Sequence, residues 1–353
     1  MKIVSIVGAR PQFVKAAPLS KKLRENFTEV LVHTGQHYDL NMSEIFFKEL
    51  GIPEPDYNLG VGSGAHGEQT GKMLIKIEKV LLKEKPDLVL VYGDTNSTIA
   101  GSLAAAKLHI KVAHVEAGAR SFNRQMPEEL NRVVTDHLSD FLFCATRNSV
   151  INLKKEGIKR GVYFTGDVMY DAVLQFVNQG RKTSKIIESL DLKSKTYLYA
   201  TVHRAENTDN PENLKNIILA LAESGEKIVF PIHPRTRKMM GGIELPLLPN
   251  IRMIEPVGYL DNLILIENSK KVLTDSGGIQ KEAYFLKVPC ITLREETEWV
   301  ETVADGWNIL VGADKKKIQQ SIEKFEPKGK QSDHFGDGQA TNKITKIIAS
   351  DLR

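Results

Sequence analysis

Lys271-Val272-Leu273-Thr274-Asp275-Ser276-Gly277-Gly278-Ile279-Gln280-Lys281-Glu282 is the stretch on which the reading of this chain turns. Lys271-Val272-Leu273 reads as a buried strand, and Gln280 to Lys287 reads as a helix. The hydroxyl of Ser276 and the glycines Gly277 and Gly278 therefore fall at a strand-to-helix turn. Without a Cβ in the way, backbone N–H groups there can approach a phosphate, and the helix N-terminus adds partial positive charge. Glu282, about one helical turn further in, is spaced to reach back to a ribose diol.

Outward from that turn, strand-like and helical runs alternate along the whole chain. Strands are expected at residues 3–7, 30–33, 88–92, 111–115 and 141–144, then at 197–201, 228–231, 251–254, 271–273 and 290–293. Helices are expected at 69–83, 98–108, 127–137, 213–223 and 260–268, with a last amphipathic one over 340–352. The strands are continuous β-branched runs, which points to parallel sheets covered on both faces. Two such series, split near Gly166-Asp167, predict an α/β protein of two doubly wound, Rossmann-like domains, residues 1–167 and 168–335. Ligands of such sheets sit beyond the carboxyl ends of the strands. Two domains facing each other would bring both sets of strand-end loops to a central cleft. The polar, Lys- and Gly-rich segment 326–338 reads as a mobile connection.

Composition narrows the classes. The chain has 353 residues, 41% hydrophobic and 26% charged, ordinary for a soluble globular protein. Its net charge of +4, from 48 basic against 44 acidic residues, is too small and dispersed to argue for nucleic acid but suits an anionic metabolite. Cys144 and Cys290 lie far apart in apolar runs, as buried free thiols in a reducing compartment do. No apolar run approaches the ~18 residues of a membrane span, and no signal-peptide pattern opens the chain. A cytoplasmic protein is expected.

In the first half, strand one ends at Gly8-Ala9-Arg10-Pro11-Gln12, with Lys15 following. Arg10 and Lys15 are expected at the strand-end site. The absence of Gly-x-Gly-x-x-Gly disfavours a nicotinamide or flavin, and no cofactor is expected. Asp94 ends the run 88–92, and the hydroxyls and amide of 95–98 offer alternative helix caps that leave Asp94 for other work. Glu116, in His114-Val115-Glu116-Ala117-Gly118, ends another strand. Glu128 and Glu129, just after Pro127, suit a helix N-terminus, yet one of them could converge with Asp94 and Glu116. Crowded carboxylates push one another's pKa apart, giving an acid and a base.

In the second half, His203 and His233 each follow a strand, and each is followed by an arginine, Arg204 and Arg235. The pattern suits diphosphate ligands or proton donors. No His or Cys spacing suits a metal, so none is expected. His33, Gln36 and His37 form a further polar knot that either holds a loop or meets a ligand.

Gly8-Ala9-Arg10-Pro11, His114 to Gly118, Pro127-Glu128-Glu129 with Asn131-Arg132, and Asp275 to Gln280 together resemble the non-hydrolysing UDP-N-acetylglucosamine 2-epimerases, in order from Lys2 to about Gly312. The resemblance implies the GT-B-like fold of two-domain nucleotide-sugar glycosyltransferases, with a final helix, 339–353, crossing back to the first domain. It implies inversion at carbon 2 of the sugar, interconverting UDP-GlcNAc and UDP-ManNAc. In this family UDP is thought to be eliminated to a 2-acetamidoglucal and then re-added. By the same resemblance Asp94, Glu116 and Glu128 match catalytic carboxylates, and Arg10, Lys15 and His203 match groups on or near the diphosphate. Ser276 and Gly277 match phosphate contacts, and Glu282 a ribose ligand. Gln36 and His37 match a stretch that in bacterial members helps bind a second, regulatory substrate molecule. A homodimer is the family's habit.

Two departures bear on the sugar. Gln12 stands where many members have Glu, and Thr297-Glu298-Trp299-Val300-Glu301 where many read Thr-Glu-Arg-Pro-Glu. Both resemble the branch acting on UDP-2,3-diacetamido-2,3-dideoxyglucuronate. Rival functions are a UDP-sugar glycosyltransferase, which needs an acceptor site rather than three carboxylates, a non-catalytic UDP-sugar sensor, and a hydrolysing epimerase.

Overall fold

The computed structural model describes residues 1–36, 47–245 and 247–351. The chain divides into two compact units, one of residues Met1–Leu174 with Asp333–Arg353, the other of Gln175–Ser332. The first division falls inside the helix Val168–Thr183 rather than at Asp167. Hydrogen bonds on either side of Val168 explain the difference. Asp167 N donates to Phe335 O at 2.9 Å. Asp171 accepts from Ala340 N and Thr341 N at 3.1 and 2.8 Å, capping the last helix, Ala340–Asp351. These bonds tie the start of the long helix to the returning C-terminal segment, so both belong to the first unit.

The first unit is built on a seven-stranded sheet: β1 (Lys2–Val7), β2 (Thr28–His33), β3 (Tyr57–Asn58), β4 (Leu88–Tyr92), β5 (Lys111–Ala117), β6 (Phe141–Cys144) and β7 (Val162–Phe164). Their order is β3-β2-β1-β4-β5-β6-β7, every pair parallel. The second carries β8 (Leu198–Thr201), β9 (Ile228–Pro231), β10 (Ile251–Ile254), β11 (Lys271–Thr274), β12 (Cys290–Thr292) and β13 (Asn308–Leu310), ordered β10-β9-β8-β11-β12-β13, again all parallel. Central strands such as Leu88–Tyr92 are buried along their whole length, as covering helices on both faces demand. In the second unit Leu214, Ile217, Ile218 and Leu221 of the helix Pro211–Glu223 recur at three- and four-residue spacing and pack on Leu198, Ile228 and Leu273.

Three strands escaped the sequence reading: β3, β7 and β13. Each has only two or three residues and lies at a sheet edge, where half-exposed positions break the apolar run that marks a central strand. The segment 326–338 is also more tightly held than a mobile connection. Phe335 is buried, Ser332 N and Oγ donate to Asp305 at 2.6 and 3.0 Å, and Gln331 Nε2 donates to Tyr284 O. Among the described residues no helix is long and apolar enough to cross a membrane.

Candidate active site

Each sheet reverses its strand order once, between β1 and β4 in the first unit and between β8 and β11 in the second. Such a reversal opens a crevice at the carboxyl ends of the two strands. Several residues singled out from the sequence, among them Arg10, Asp94, Glu116, His203 and Ser276, end or follow strands at or beside these two places.

In the first unit, Gly8 follows β1 where no side chain fits. A Cβ there would lie 2.1 Å from Thr34 Oγ1 and 2.2 Å from Ser97 Oγ. Arg10 opens the helix Arg10–Arg24 and is half-buried. Gln12 is buried and fully engaged: Oε1 accepts from Gly8 N and Ala9 N at 2.8 and 3.0 Å, and Nε2 donates to Tyr92 O and Thr98 Oγ1 at 2.8 and 3.0 Å. It laces the end of β1 to the end of β4, and an ionised carboxylate could not donate to the Tyr92 carbonyl. Lys15, expected on a diphosphate, is paired with Glu116, Nζ to Oε1 at 2.5 Å. Glu116 has φ +75°, a left-handed backbone for a residue with a Cβ, at a register shift between Val115 and Ala117. Strain of this kind costs on the order of 1–3 kcal/mol and concentrates at functional sites.

Asp94 is not a helix cap. Thr95 takes that position, its N–H donating to Thr98 Oγ1 at 3.2 Å. Asp94 Oδ2 instead accepts from Arg132 Nη2 at 2.8 Å, and Asn131 Nδ2 donates to Asp94 O at 2.9 Å. Arg132 and Asn131 come from the helix Pro127–Leu138. Of the two glutamates at its start, Glu129 is buried and holds the preceding loop, accepting from Ser121 N and Oγ and from Phe122 N, each at 3.0 Å. Glu128 is half-buried and precedes Arg132 by one helical turn, on the same helix face. Glu116 is thus paired with Lys15, and Asp94 with Arg132, which also faces Glu129 Oε2 at 3.1 Å.

Beneath them lies a buried chain the sequence reading missed. His114 Nδ1 is 2.7 Å from Asp136 Oδ1, Arg120 Nη2 is 2.7 Å from Asp136 Oδ2, and Arg120 Nε donates to Glu156 Oε1 at 2.8 Å. Burial raises the Asp136 pKa, but the charges and hydrogen bonds of His114 and Arg120 outweigh it and hold the carboxyl below its ordinary value. The spacing of Glu129, Arg132 and Asp136 along one helix face was the available signal.

In the second unit, Asp275 is fully buried and organises the loop after β8. It accepts from His203 N at 3.0 Å, Arg204 N at 2.9 Å and Asn207 Nδ2 at 3.1 Å. The rings of His203 and His233 lie 5.7 Å apart. Ser276 caps the helix Gly277–Phe285, which begins at the glycines themselves, before Gln280. Trp299 packs across this turn: a Cβ on Gly277 would meet its Nε1 at 3.3 Å, and the buried Lys281 ammonium sits 3.8 Å from its ring centre. Glu282 is buried, and its Oε2 accepts from Asn262 Nδ2 at 3.1 Å. Desolvation pushes its carboxyl up to about 7, against the opposing hydrogen bonds of Tyr259 and Asn262 and the charge of Lys281. Arg235 is not gathered into this group. It is exposed and bonded to Asp209, Nε to Oδ1 at 3.2 Å, because Asp209 at the end of the helix Ala205–Thr208 offers its carboxylate there.

Gln36 Oε1 accepts from Ser97 N and Oγ at 3.0 and 2.7 Å, and His33 Nδ1 accepts from Gly35 N at 3.0 Å. His37 lies outside the described residues.

Two Rossmann-like halves, each with charged groups and glycine turns at its strand-order reversal, define a two-unit α/β protein of the kind that handles nucleotide-linked substrates. The chain belongs to the UDP-N-acetylglucosamine 2-epimerase family, whose sequence model matches residues 21–349. It is 60% identical to a UDP-N-acetylglucosamine 2-epimerase homolog of Methanococcus maripaludis, over 99% of each chain. It is 52% identical, over 99% of each chain, to a UDP-2,3-diacetamido-2,3-dideoxy-D-glucuronate 2-epimerase of Pseudomonas aeruginosa. Its fold superposes with a TM-score of 0.94 on the crystal structure of Methanocaldococcus jannaschii UDP-GlcNAc 2-epimerase in complex with UDP-GlcNAc and UDP, at 48% identity over 99% of each chain. The fold is GT-B-like, shared by nucleotide-sugar epimerases and glycosyltransferases.

Proposed function

We propose that this chain is a non-hydrolysing UDP-N-acetylglucosamine 2-epimerase, interconverting UDP-GlcNAc and UDP-ManNAc. The observation that carries the reading is the pairing of Asp94 with Arg132 and Glu116 with Lys15 at one strand-order reversal, with Glu128 on the helix that supplies Arg132. Three acidic groups suit an elimination and its reversal far better than transfer to an acceptor.

A base takes the proton from carbon 2, the bond from carbon 1 to the diphosphate oxygen breaks, and a carbon 1–carbon 2 double bond forms. UDP then adds back to carbon 1 while an acid delivers a proton to the opposite face of carbon 2. Asp94, Glu116 and Glu128 are assigned to this proton traffic, and His203, in the loop that Asp275 organises, to the departing diphosphate. Ser276, Gly277 and Gly278 offer the capped helix N-terminus to the phosphates, Arg10, Lys15 and His233 add positive or hydrogen-bonding groups, and Glu282 takes the ribose. Incubating the enzyme with UDP-GlcNAc and following carbon 1 and carbon 2 protons by NMR tests the assignment. Appearance of UDP-ManNAc supports it. Release of free sugar, or transfer to an added acceptor, opposes it.

A second reading, the same chemistry on UDP-2,3-diacetamido-2,3-dideoxyglucuronate, draws on Trp299. This residue, where many family members have Arg, packs across the Ser276–Gly278 turn. The two substrates offered side by side distinguish the readings.

A further inference from the structure

We propose that His114 is held doubly protonated in the interior of the first unit and acts as a positioning residue for Asp94 and Glu116, an inference that rests on the epimerase reading only for its kinetic consequence. The ring is completely buried. Its Nε2 lies 2.7 Å from Gly93 O, a carbonyl that can only accept, so this nitrogen carries a proton. Its Nδ1 lies 2.7 Å from Asp136 Oδ1. Asp136 itself accepts from Gly118 N at 3.1 Å and faces the Arg120 guanidinium at 2.7 Å, a setting that fits an ionised carboxylate. A carboxylate can only accept as well, so Nδ1 also carries a proton. The imidazolium, Asp136, Arg120 and Glu156 then alternate in charge through the interior.

The place of this cation gives it a task. Gly93 has φ +61° and is clamped from both sides by β5, its N–H donating to Val115 O at 3.0 Å and its carbonyl accepting from His114. The next residue is Asp94. A Cβ on Gly93 would stand 3.3 Å from Lys15 Nζ and 3.6 Å from Glu116 Oε1, so the clamped peptide also abuts the Lys15–Glu116 pair. His114 thus fixes the backbone that aims Asp94 and adds positive charge behind both carboxylates. The charged and titratable groups around it are Asp136 and Arg132 from the helix, Arg120 from the following loop, Lys15 from the first helix, Glu116 on its own strand, Asp94 beyond Gly93, and the Cys144 thiol of β6, which burial pushes up.

Nitrogen-15 NMR of histidine-labelled protein tests the protonation state without any substrate, with His114→Gln assigning the signals. Both ring nitrogens of His114 should resonate as protonated in the folded protein. A pyridine-type nitrogen overturns the proposal. In Asp136→Asn one pyridine-type nitrogen should appear, and persistence of two protonated nitrogens there contradicts the role given to Asp136. Kinetically, His114→Gln should lower kcat about 10–100-fold with KM nearly unchanged, as expected for misaimed groups. The acidic limb of its kcat profile should move up by roughly one pH unit, because a cation near the carboxylates is gone. An unmoved limb would leave His114 a packing residue. If the enzyme proves inactive on UDP-sugars, the NMR outcome still decides the protonation claim.

Discussion

Lys15 Nζ lies 2.5 Å from Glu116 Oε1, with the two side chains only 7% and 10% exposed. The helix after β1 and the strained end of β5 are thereby joined by one nearly dry ion pair. Removing one partner of such a pair leaves a charge without its counter-ion, typically at a cost of about 3–5 kcal/mol. Lys15→Met and Glu116→Gln should each lower stability toward that amount, and the double variant should lose clearly less than their sum. Thermal or urea unfolding of the four proteins measures this, and additive losses would mean that the pair contributes nothing as a pair.

The carboxylates predict the kinetics. General acid–base groups contribute about 10²–10⁴-fold, so Asp94→Asn, Glu116→Gln and Glu128→Gln should each lower kcat on that scale while KM changes little. Glu129→Gln should behave differently. It should weaken the Ser121–Phe122 loop and lower stability, since Glu129 accepts three hydrogen bonds from that loop besides pairing with Arg132 at 3.1 Å.

Glu282 carries a pH prediction. Its carboxyl titrates at about 7 in the folded protein against 4.5 for the free group. A raised carboxyl pKa favours the folded state fully below pH 4.5, and this advantage is lost as pH rises toward 7. Glu282→Gln should therefore be more stable than the native chain at pH 8, by up to about 3 kcal/mol, and no more stable at pH 4. The same variant should bind UDP more weakly, as should Ser276→Ala, by about 1–3 kcal/mol for each buried hydrogen bond removed. Differential scanning calorimetry across pH and titration with UDP read the two effects. A stability gain that does not depend on pH would exclude an ionised Glu282 as its cause.

Gly8→Ala should destabilise the first unit by about 1–3 kcal/mol, because the added methyl collides with two hydroxyls bonded to each other, Thr34 Oγ1 and Ser97 Oγ, 2.8 Å apart. Ser97→Gly in the same chain should recover part of the loss. Melting temperatures of the single and double variants decide it.

The central strands were legible because buried parallel strands are written as continuous apolar runs, as in Leu88–Tyr92, whereas helices such as Val168–Thr183 and Lys315–Lys324 were not named. Short edge strands such as Val162–Phe164 carry no such run. Candidate residues at strand ends were legible by type and position, but their partners were not. Nothing local in the sequence shows that Arg132 reaches Asp94, that Asp275 gathers the His203 loop, or that Arg235 turns to Asp209. Those pairings depend on how helix faces settle on the sheet, a tertiary property. The buried His114–Asp136 contact was hidden for the same reason, its members being 22 positions apart on a strand and a helix.

The most direct test of the elimination mechanism is the reaction run in deuterium oxide with UDP-N-acetylglucosamine. Elimination and re-addition exchange the hydrogen on carbon 2 with an acidic group that equilibrates with solvent, so UDP-ManNAc formed there should carry deuterium at carbon 2, seen by NMR as loss of that proton signal. UDP-ManNAc formed with its original carbon 2 hydrogen would contradict the mechanism.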